Sequence, residues 1–356
     1  METIIADSKQ KATVLINQIN SEVSEFDNNS ENSSDLLVYK SGNEWIQQAK
    51  KKKVPNMIFD SFWFENEICF LFADTGIGKT ILGVQIADSI STGKSILGFR
   101  MNIMMQIVLY LDFELSDKQF ENRYSNNYQD HYIWSDNFKR VEFNTDAEIT
   151  DYSTFENDLI NEIEKIIIQT GVRILIVDNL TYLNSDNEQA KHALPFMKKL
   201  KNLKKKYDLS ILILAHTPKR NNTKPLTRND LSGSKMLINF CDSAFAIGES
   251  SQDVNLRYLK QIKVRSTNCV YDSENVVLCR LVKNSNFIEF EFIKYCSEND
   301  HLQILTPSEK TNRIKDALEM KKVGKSNVEI AKVLMVSEGA VRKWIKNDQK
   351  NLNSDV

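Results

Sequence analysis

One stretch constrains this chain more than any other: an apolar run that stops at a small, glycine-bearing octad. Ile68-Cys69-Phe70-Leu71-Phe72 is followed by Ala73-Asp74-Thr75-Gly76-Ile77-Gly78-Lys79-Thr80, and then by Ile81-Leu82-Gly83-Val84-Gln85-Ile86-Ala87. This order predicts a buried strand, a loop and a helix. Gly76 and Gly78 let successive backbone N–H groups curl around a phosphate, and the helix start behind them adds its positive dipole end. At this spacing Lys79 reaches the β- and γ-phosphates of ATP and the Thr80 hydroxyl reaches Mg2+. Residues Ala73, Asp74, Thr75, Gly76, Ile77, Gly78, Lys79 and Thr80 are therefore the expected nucleotide cradle, with Thr80 a metal ligand. A glycine is preferred where Ala73 stands, and alanine is an accepted alternative.

The segments around this loop alternate between β-branched runs and amphipathic ones from Glu67 to about Tyr295, the pattern of a sheet covered by crossover helices. Strands are expected at Ile68-Ala73, Ile107-Asp112, Val141-Phe143, Ile174-Asp178 and Ile211-Ala215. Four more follow at Ser243-Ile247, Tyr258-Val264, Val276-Leu281 and Phe287-Phe292. These last four have hardly any helix between them, so they predict an antiparallel extension to a mainly parallel α/β sheet. Phe155, Leu159, Ile163 and Ile167 recur at helical spacing before Gly171, which predicts one crossover helix. With 356 residues, 41% of them hydrophobic, the chain has material for one large core and a small module.

In Arg173-Ile174-Leu175-Ile176-Val177-Asp178-Asn179, four apolar residues bury a strand and Asp178 emerges at its carboxyl edge, where parallel sheets bind ligands. Asp178 is expected to hold Mg2+ through water, with Asn179 positioning its neighbours. The run Ile107 to Ser116 ends a strand in Asp112-Phe113-Glu114-Leu115-Ser116, with Gln119, Phe120 and Arg123 following at helical spacing. This resembles the RecA-like P-loop ATPases of the DnaB-type and RepA-type hexameric helicases over about residues 41 to 295. The resemblance implies that Glu114 is the general base for the attacking water, with Asp112 the second candidate. It also implies that His216, in Ser210-Ile211-Leu212-Ile213-Leu214-Ala215-His216, senses the γ-phosphate. The basic loop beyond, Lys219, Arg220, Lys224 and Arg228, is then a single-strand DNA contact. Leu231-Ser232-Gly233-Ser234 and Cys241-Asp242-Ser243 resemble a further segment of the same group. In Lys260-Gln261-Ile262-Lys263-Val264-Arg265, Lys263 and Arg265 resemble cations inserted into a neighbouring subunit's site, which implies a homo-oligomer, a hexamer by analogy.

The C-terminal part counts +5 from Glu309 to Lys350 and reads as three short amphipathic helices that look like a helix-turn-helix. Ala331 is small where two helices cross, Ser337 caps the third, and Val341, Trp344 and Ile345 face the core. Arg342, Lys343 and Lys346 are left to meet duplex phosphates. A protein-docking module is the alternative.

The expected organisation is a disordered acidic arm (1–40), a RecA-like ATPase domain (41–296), a linker (297–311), the helix-turn-helix (312–348) and a tail (349–356). Forty-six basic against 48 acidic residues give a net charge of -2, so any DNA contact must be local. Five single cysteines argue against a disulfide framework or a structural zinc and for a reducing cytoplasm. No signal peptide is read at the start, and no apolar run approaches the ~18 residues of a membrane span. Three functions fit: a RepA-like replicative helicase or helicase loader of a plasmid or mobile element, an ATP-switched DNA-bound regulator or transposition ATPase, and a recombinase.

Overall fold

Six apolar residues in a row leave neither face of a strand for water, and Ile68–Ala73 forms a strand, β1, buried on both sides. The structure, a computed structural model, describes residues 37–144, 155–179, 189–217, 220–231, 234–304, 307–334 and 336–354. Around β1 it sets β2 (Val108–Asp112), β3 (Phe138–Val141), β4 (Ile174–Asp178), β5 (Ser210–His216), β6 (Ser243–Glu249), β7 (Leu256–Lys263), β8 (Val276–Asn284) and β9 (Phe287–Cys296). The order across this sheet is β9-β8-β7-β6-β1-β5-β4-β2-β3. From β6 to β3 every neighbouring pair is parallel, and β6 to β9 pair antiparallel in succession. The architecture is mixed α/β with a large, mostly parallel sheet, as a RecA-like P-loop core requires.

The chain divides into two units, Met1–Val54 and Pro55–Val356. The first holds α1 (Gly42–Lys50), started by a capping box in which the Ser41 hydroxyl accepts from the Glu44 N–H and Glu44 accepts from the Ser41 N–H. The arm expected over 1–40 lies, as far as residue 36, outside the described residues. The second unit carries α2 (Lys79–Thr92), α3 (Asp117–Arg123), α4 (Phe155–Thr170), α5 (Gln189–Tyr207), α6 (Ser234–Phe240), α7 (Pro307–Lys322), α8 (Asn327–Leu334) and α9 (Glu338–Ser354).

Side chains of β1 alternate between two cores. Phe70 and Phe72 join Leu111, Val177 and Ile213 under α4 and α5, which contribute Ile163 and Phe196. Cys69 and Leu71 join Tyr110, Ile176 and Leu214 under α2, which contributes Leu82 and Ile86. A third, small core of Ala317, Ile330, Ala331 and Val341 unites α7, α8 and α9, with Trp344 and Ile345 packed against it. Among the described residues no helix is long and apolar enough to cross a membrane.

Three expectations shift. β6 is not part of the antiparallel extension alone: α6 carries the chain over the sheet, so β6 pairs parallel with β1 on one side and antiparallel with β7 on the other. The strand expected at Val141-Phe143 ends at Val141, because register with β2 pairs Phe138 through Val141 with Val108 through Leu111, and Phe143 stacks on Phe113 instead. The first part of the expected linker is pinned to the body. Glu298 is buried and takes Lys260 Nζ at 2.5 Å, the Leu226 N–H at 2.6 Å and the Tyr258 hydroxyl at 3.2 Å. Leu226 is thereby drawn into the core from the basic loop that follows β5.

Arg140 crosses from edge strand β3 to the buried carboxylate of Asp112, with Nε donating to Oδ2 at 2.8 Å. Removing it leaves a buried charge without its counter-ion. Arg140→Ala should destabilise the protein by about 3 kcal/mol, the low end of the range for a broken buried pair, since the arginine itself keeps some contact with water. Urea unfolding checks this, and a change below about 0.5 kcal/mol, the size of a surface substitution, would show that Asp112 is already satisfied by backbone donors.

Candidate active site

Parallel register gathers the candidate residues. Ala73 lies opposite His216 across β1 and β5, and Asp112 lies opposite Asp178 across β2 and β4. The loops after these strands therefore leave the same edge of the sheet. Because β5 stands between β1 and β4, His216 is set between the phosphate loop and the Asp178-Asn179 pair.

The loop is shaped by two left-handed glycines, Gly76 (φ +78°) and Gly78 (φ +110°). A Cβ on Gly78 would stand 2.9 Å from the Phe290 ring, so space as well as backbone requires glycine there. Phe290 is itself held to α2, its N–H donating to Gln85 Oε1 at 2.9 Å and its carbonyl accepting from Gln85 Nε2 at 3.1 Å. From below, Arg257 Nε donates to the Ile77 carbonyl at 3.1 Å. Sequence reasoning missed Arg257, which stands just before the strand expected from Tyr258 and reads as one more cation beside Lys260 and Lys263.

Lys79 is nearly buried, and its ammonium donates to the carbonyls of Ala73 and Asp74, each at 3.2 Å, and to His216 Nδ1 at 3.0 Å. Burial lowers its pKa, opposed by the charges of Glu114, Asp178 and Asp74. Asp178 is fully buried, and burial pushes its carboxyl up to about 7 against the hydroxyls of Thr80 and Tyr110. Tyr110 donates to Oδ2 at 2.8 Å, while Oδ1 is buried without a hydrogen-bond partner among the described residues. An orphaned carboxylate oxygen beside the Thr80 hydroxyl fits a hard divalent cation such as Mg2+ held partly through water.

Glu114 is half exposed, with Oε2 accepting from Asn179 Nδ2 at 2.5 Å and standing 4.0 Å from His216 Nε2. The turn that presents it is fixed by Asp112, whose Oδ1 accepts from the N–H groups of Glu114 (3.2 Å) and Leu115 (2.9 Å). Arg140 completes the clamp, reaching Asp117 and the Leu115 carbonyl at 2.8 Å each. Asp112, the second candidate for the base, is thus spent on holding Glu114 in place. Arg140 was also missed, since its use depends on an edge strand four residues long.

His216 contacts Lys79 through Nδ1 and Asn179 Nδ2 through Nε2 at 3.0 Å each. Burial first, and the Lys79 charge second, lower its pKa, so the imidazole is neutral at pH 7. A neutral ring has one acceptor nitrogen, and Lys79 can only donate, so Nδ1 accepts and Nε2 carries the proton. Asn179 then serves one neighbour at a time: its NH2 donates to Glu114, or its turned-over amide oxygen accepts from His216.

Other expected residues lie elsewhere. Lys263 is level with Ala244, and so with the amino-terminal half of β1, where its ammonium donates to the carbonyls of Ile238 (2.5 Å) and Cys241 (2.7 Å). Arg265 pairs with Asp242 at 3.2 Å. Neither comes to this chain's own phosphate loop. Arg220 is partly buried, Lys224 and Arg228 are exposed, and Lys219, like Ser232 and Gly233, lies outside the described residues. On α9, Arg342 pairs with Glu338, and Lys343 and Lys346 are exposed.

This strand–loop–helix with its ring of Asp178, Glu114 and His216 is a P-loop ATPase core. The chain belongs to the AAA domain family, which matches residues 37–222. Among solved structures, a KaiC-like protein from the hyperthermophilic archaeon Pyrococcus horikoshii OT3 is similar over 64% of this chain and 90% of its own, at 12% identity and a TM-score of 0.44. No curated protein matches.

Because folding raises the Asp178 pKa, the native state holds a proton that the unfolded chain has already lost, and stability falls as pH climbs from about 4 to about 7, by up to about 1.4 kcal/mol per pH unit. Asp178→Asn is neutral throughout. Its stability advantage over the natural protein should widen between pH 5 and pH 7 and level off above, in urea melts without metal or nucleotide. A gap independent of pH would place the proton elsewhere.

Proposed function

We propose that this protein is a Mg2+-dependent ATPase that acts on DNA as an oligomer, a hexamer by analogy, in the manner of a RepA-like replicative helicase or helicase loader of a plasmid or mobile element. The observation that carries the ATPase part is the unbroken line of contacts Lys79, His216, Asn179, Glu114, which joins the phosphate-binding cation to a half-exposed carboxylate. Thr80 and Asp178 would hold the magnesium ion, which supplies charge neutralisation at the phosphate oxygens. The N–H groups of the loop and the Lys79 ammonium bind the β- and γ-phosphates. Turning Lys79 onto phosphate withdraws it from Nδ1 of His216, and the imidazole and Asn179 re-pair. Asn179 thereby sets whether Glu114 is tied to an amide or free to take the proton of the attacking water.

Arg220, Lys224 and Arg228, with Lys219, are assigned to single-stranded DNA, and Arg342, Lys343 and Lys346 of a helix-turn-helix to duplex. The position of the basic loop directly after the His216 strand supports the first assignment. The exposed cationic side of α9, opposite the buried Val341, supports the second. Lys263 and Arg265 are assigned to the neighbouring subunit's site, because the register keeps them at the far end of β1 from their own.

ATP turnover measured with no DNA, with single strands and with duplex, beside unwinding of a forked duplex, tests the whole reading. Single-strand stimulation with unwinding supports the helicase; binding of duplex alone supports an ATP-switched regulator. Lys79→Ala should abolish turnover and weaken nucleotide binding. Glu114→Gln should keep nucleotide affinity and lower kcat by on the order of a hundredfold or more, the expectation for a lost base; near-normal turnover removes Glu114 from that role.

Mixing tests the assembly. Arg265→Ala and Glu114→Gln subunits, each inactive alone, should recover part of the activity when combined, since some interfaces then join an intact base to an intact cation. No recovery in demonstrably mixed oligomers would leave Lys263 and Arg265 as strand-edge residues.

A further inference from the structure

The C-terminal helices meet the loop after β5 at a cleft of about 300 Å3 that the nucleotide site does not use. Arg220 and Asn222 line it from the loop, Gln303 from the segment after β9, and Arg313 and Asp316 from α7, with Leu334 of α8 closing it. The loop side is tied to the segment after β9 by the Gln303 N–H donating to the Asn222 carbonyl at 3.0 Å.

Among the described residues, two guanidinium nitrogens in these walls, Nε of Arg220 and Nη1 of Arg313, are buried without a hydrogen-bond partner. Arg220 donates Nη2 to the Lys224 carbonyl at 2.5 Å and lies beside the Tyr258 hydroxyl, while its Nε is left over. Asp316 shares the cleft, yet among the described residues neither arginine forms an ion pair with it. A charged donor out of water and without an acceptor is unfavourable, and native proteins rarely leave one so. Two such donors on the walls of one cleft ask for an anion with several oxygens, the geometry that arginine forks match best.

We propose that this cleft binds a phosphate group between Arg220 and Arg313, and that the phosphate belongs to a single-stranded nucleic-acid backbone. Two arginines less one aspartate leave one net positive charge, the complement of a phosphodiester, which carries one negative charge. The cleft is also continuous in sequence with Lys224 and Arg228. The choice of a strand as the source of the phosphate rests on the DNA reading above; the anion site itself does not.

Two probes on the full-length chain separate these parts: inorganic phosphate, read as a shift in melting temperature, and a fluorescein-labelled oligo(dT), read by anisotropy at fixed salt and across a salt series. Arg313→Gln should weaken oligo(dT) binding on the order of tenfold, flatten its dependence of log K on log salt by about one, and shrink the phosphate-induced melting shift. The phosphate loop's own affinity for phosphate is common to both proteins and cancels in the difference. Asp316→Asn, at an exposed position, should tighten oligo(dT) binding several-fold, an effect that misfolding does not produce. Both variants behaving as the natural protein with both probes overturns the site. A lost phosphate shift with unchanged oligo(dT) binding overturns the strand and leaves a site for free phosphate. A phosphate shift that depends on Arg313 in a protein that binds no oligo(dT) upholds the cleft and overturns the DNA reading.

Discussion

Strands buried on both faces can place polar groups only at their ends, and parallel pairing brings several carboxyl ends to one edge. In this protein β1, β5, β4 and β2 do so side by side, and each contributes one candidate group: the phosphate loop, His216, Asp178 with Asn179, and Glu114. The distances between these groups follow from strand spacing and register rather than from any loop. The placement of β5 between β1 and β4 is the decisive detail, since it puts His216 within hydrogen-bonding distance of both Lys79 and Asn179.

The same burial puts the charges of the site under tension. Lys79 and Asp178 both sit where water is excluded, and each is pushed towards its neutral form by that environment. They are held by hydrogen bonds too few to remove the cost: a tyrosine hydroxyl for Asp178, with the Thr80 hydroxyl nearby, and two carbonyls and an imidazole for Lys79. A site so arranged favours a ligand that brings opposite charges to both residues together, which a magnesium–phosphate pair does.

Much of this was legible in the residues. The phosphate loop announces itself through glycines and a strand–helix switch, and β1 and β4 match their expected bounds of Ile68–Ala73 and Ile174–Asp178 because continuous apolar runs mark both ends. Polar pairs that join distant segments were not legible. Nothing near Asp112 points to Arg140, nothing near Ile77 points to Arg257, and the burial of Glu298 depends on Lys260, Leu226 and Tyr258 from two other segments. Such residues read as solvated charges until tertiary structure brings their partners. β6 misled for a related reason: whether a strand pairs parallel or antiparallel is set by the crossover before it, and α6 is a short helix of seven residues.

The contact between Gly78 and Phe290 also bears on how the molecule is made. A ribosome delivers the phosphate loop early, yet the ring against which Gly78 is seated, and the backbone that Gln85 grips, belong to the ninth strand of the sheet, more than two hundred residues later. Until that strand has emerged, the loop has a helix behind it but no wall beside it. The nascent chain therefore gains a finished nucleotide pocket only when β9 has joined the sheet, and a fragment that stops after β5 carries every recognisable motif residue of the pocket without the surface that shapes it.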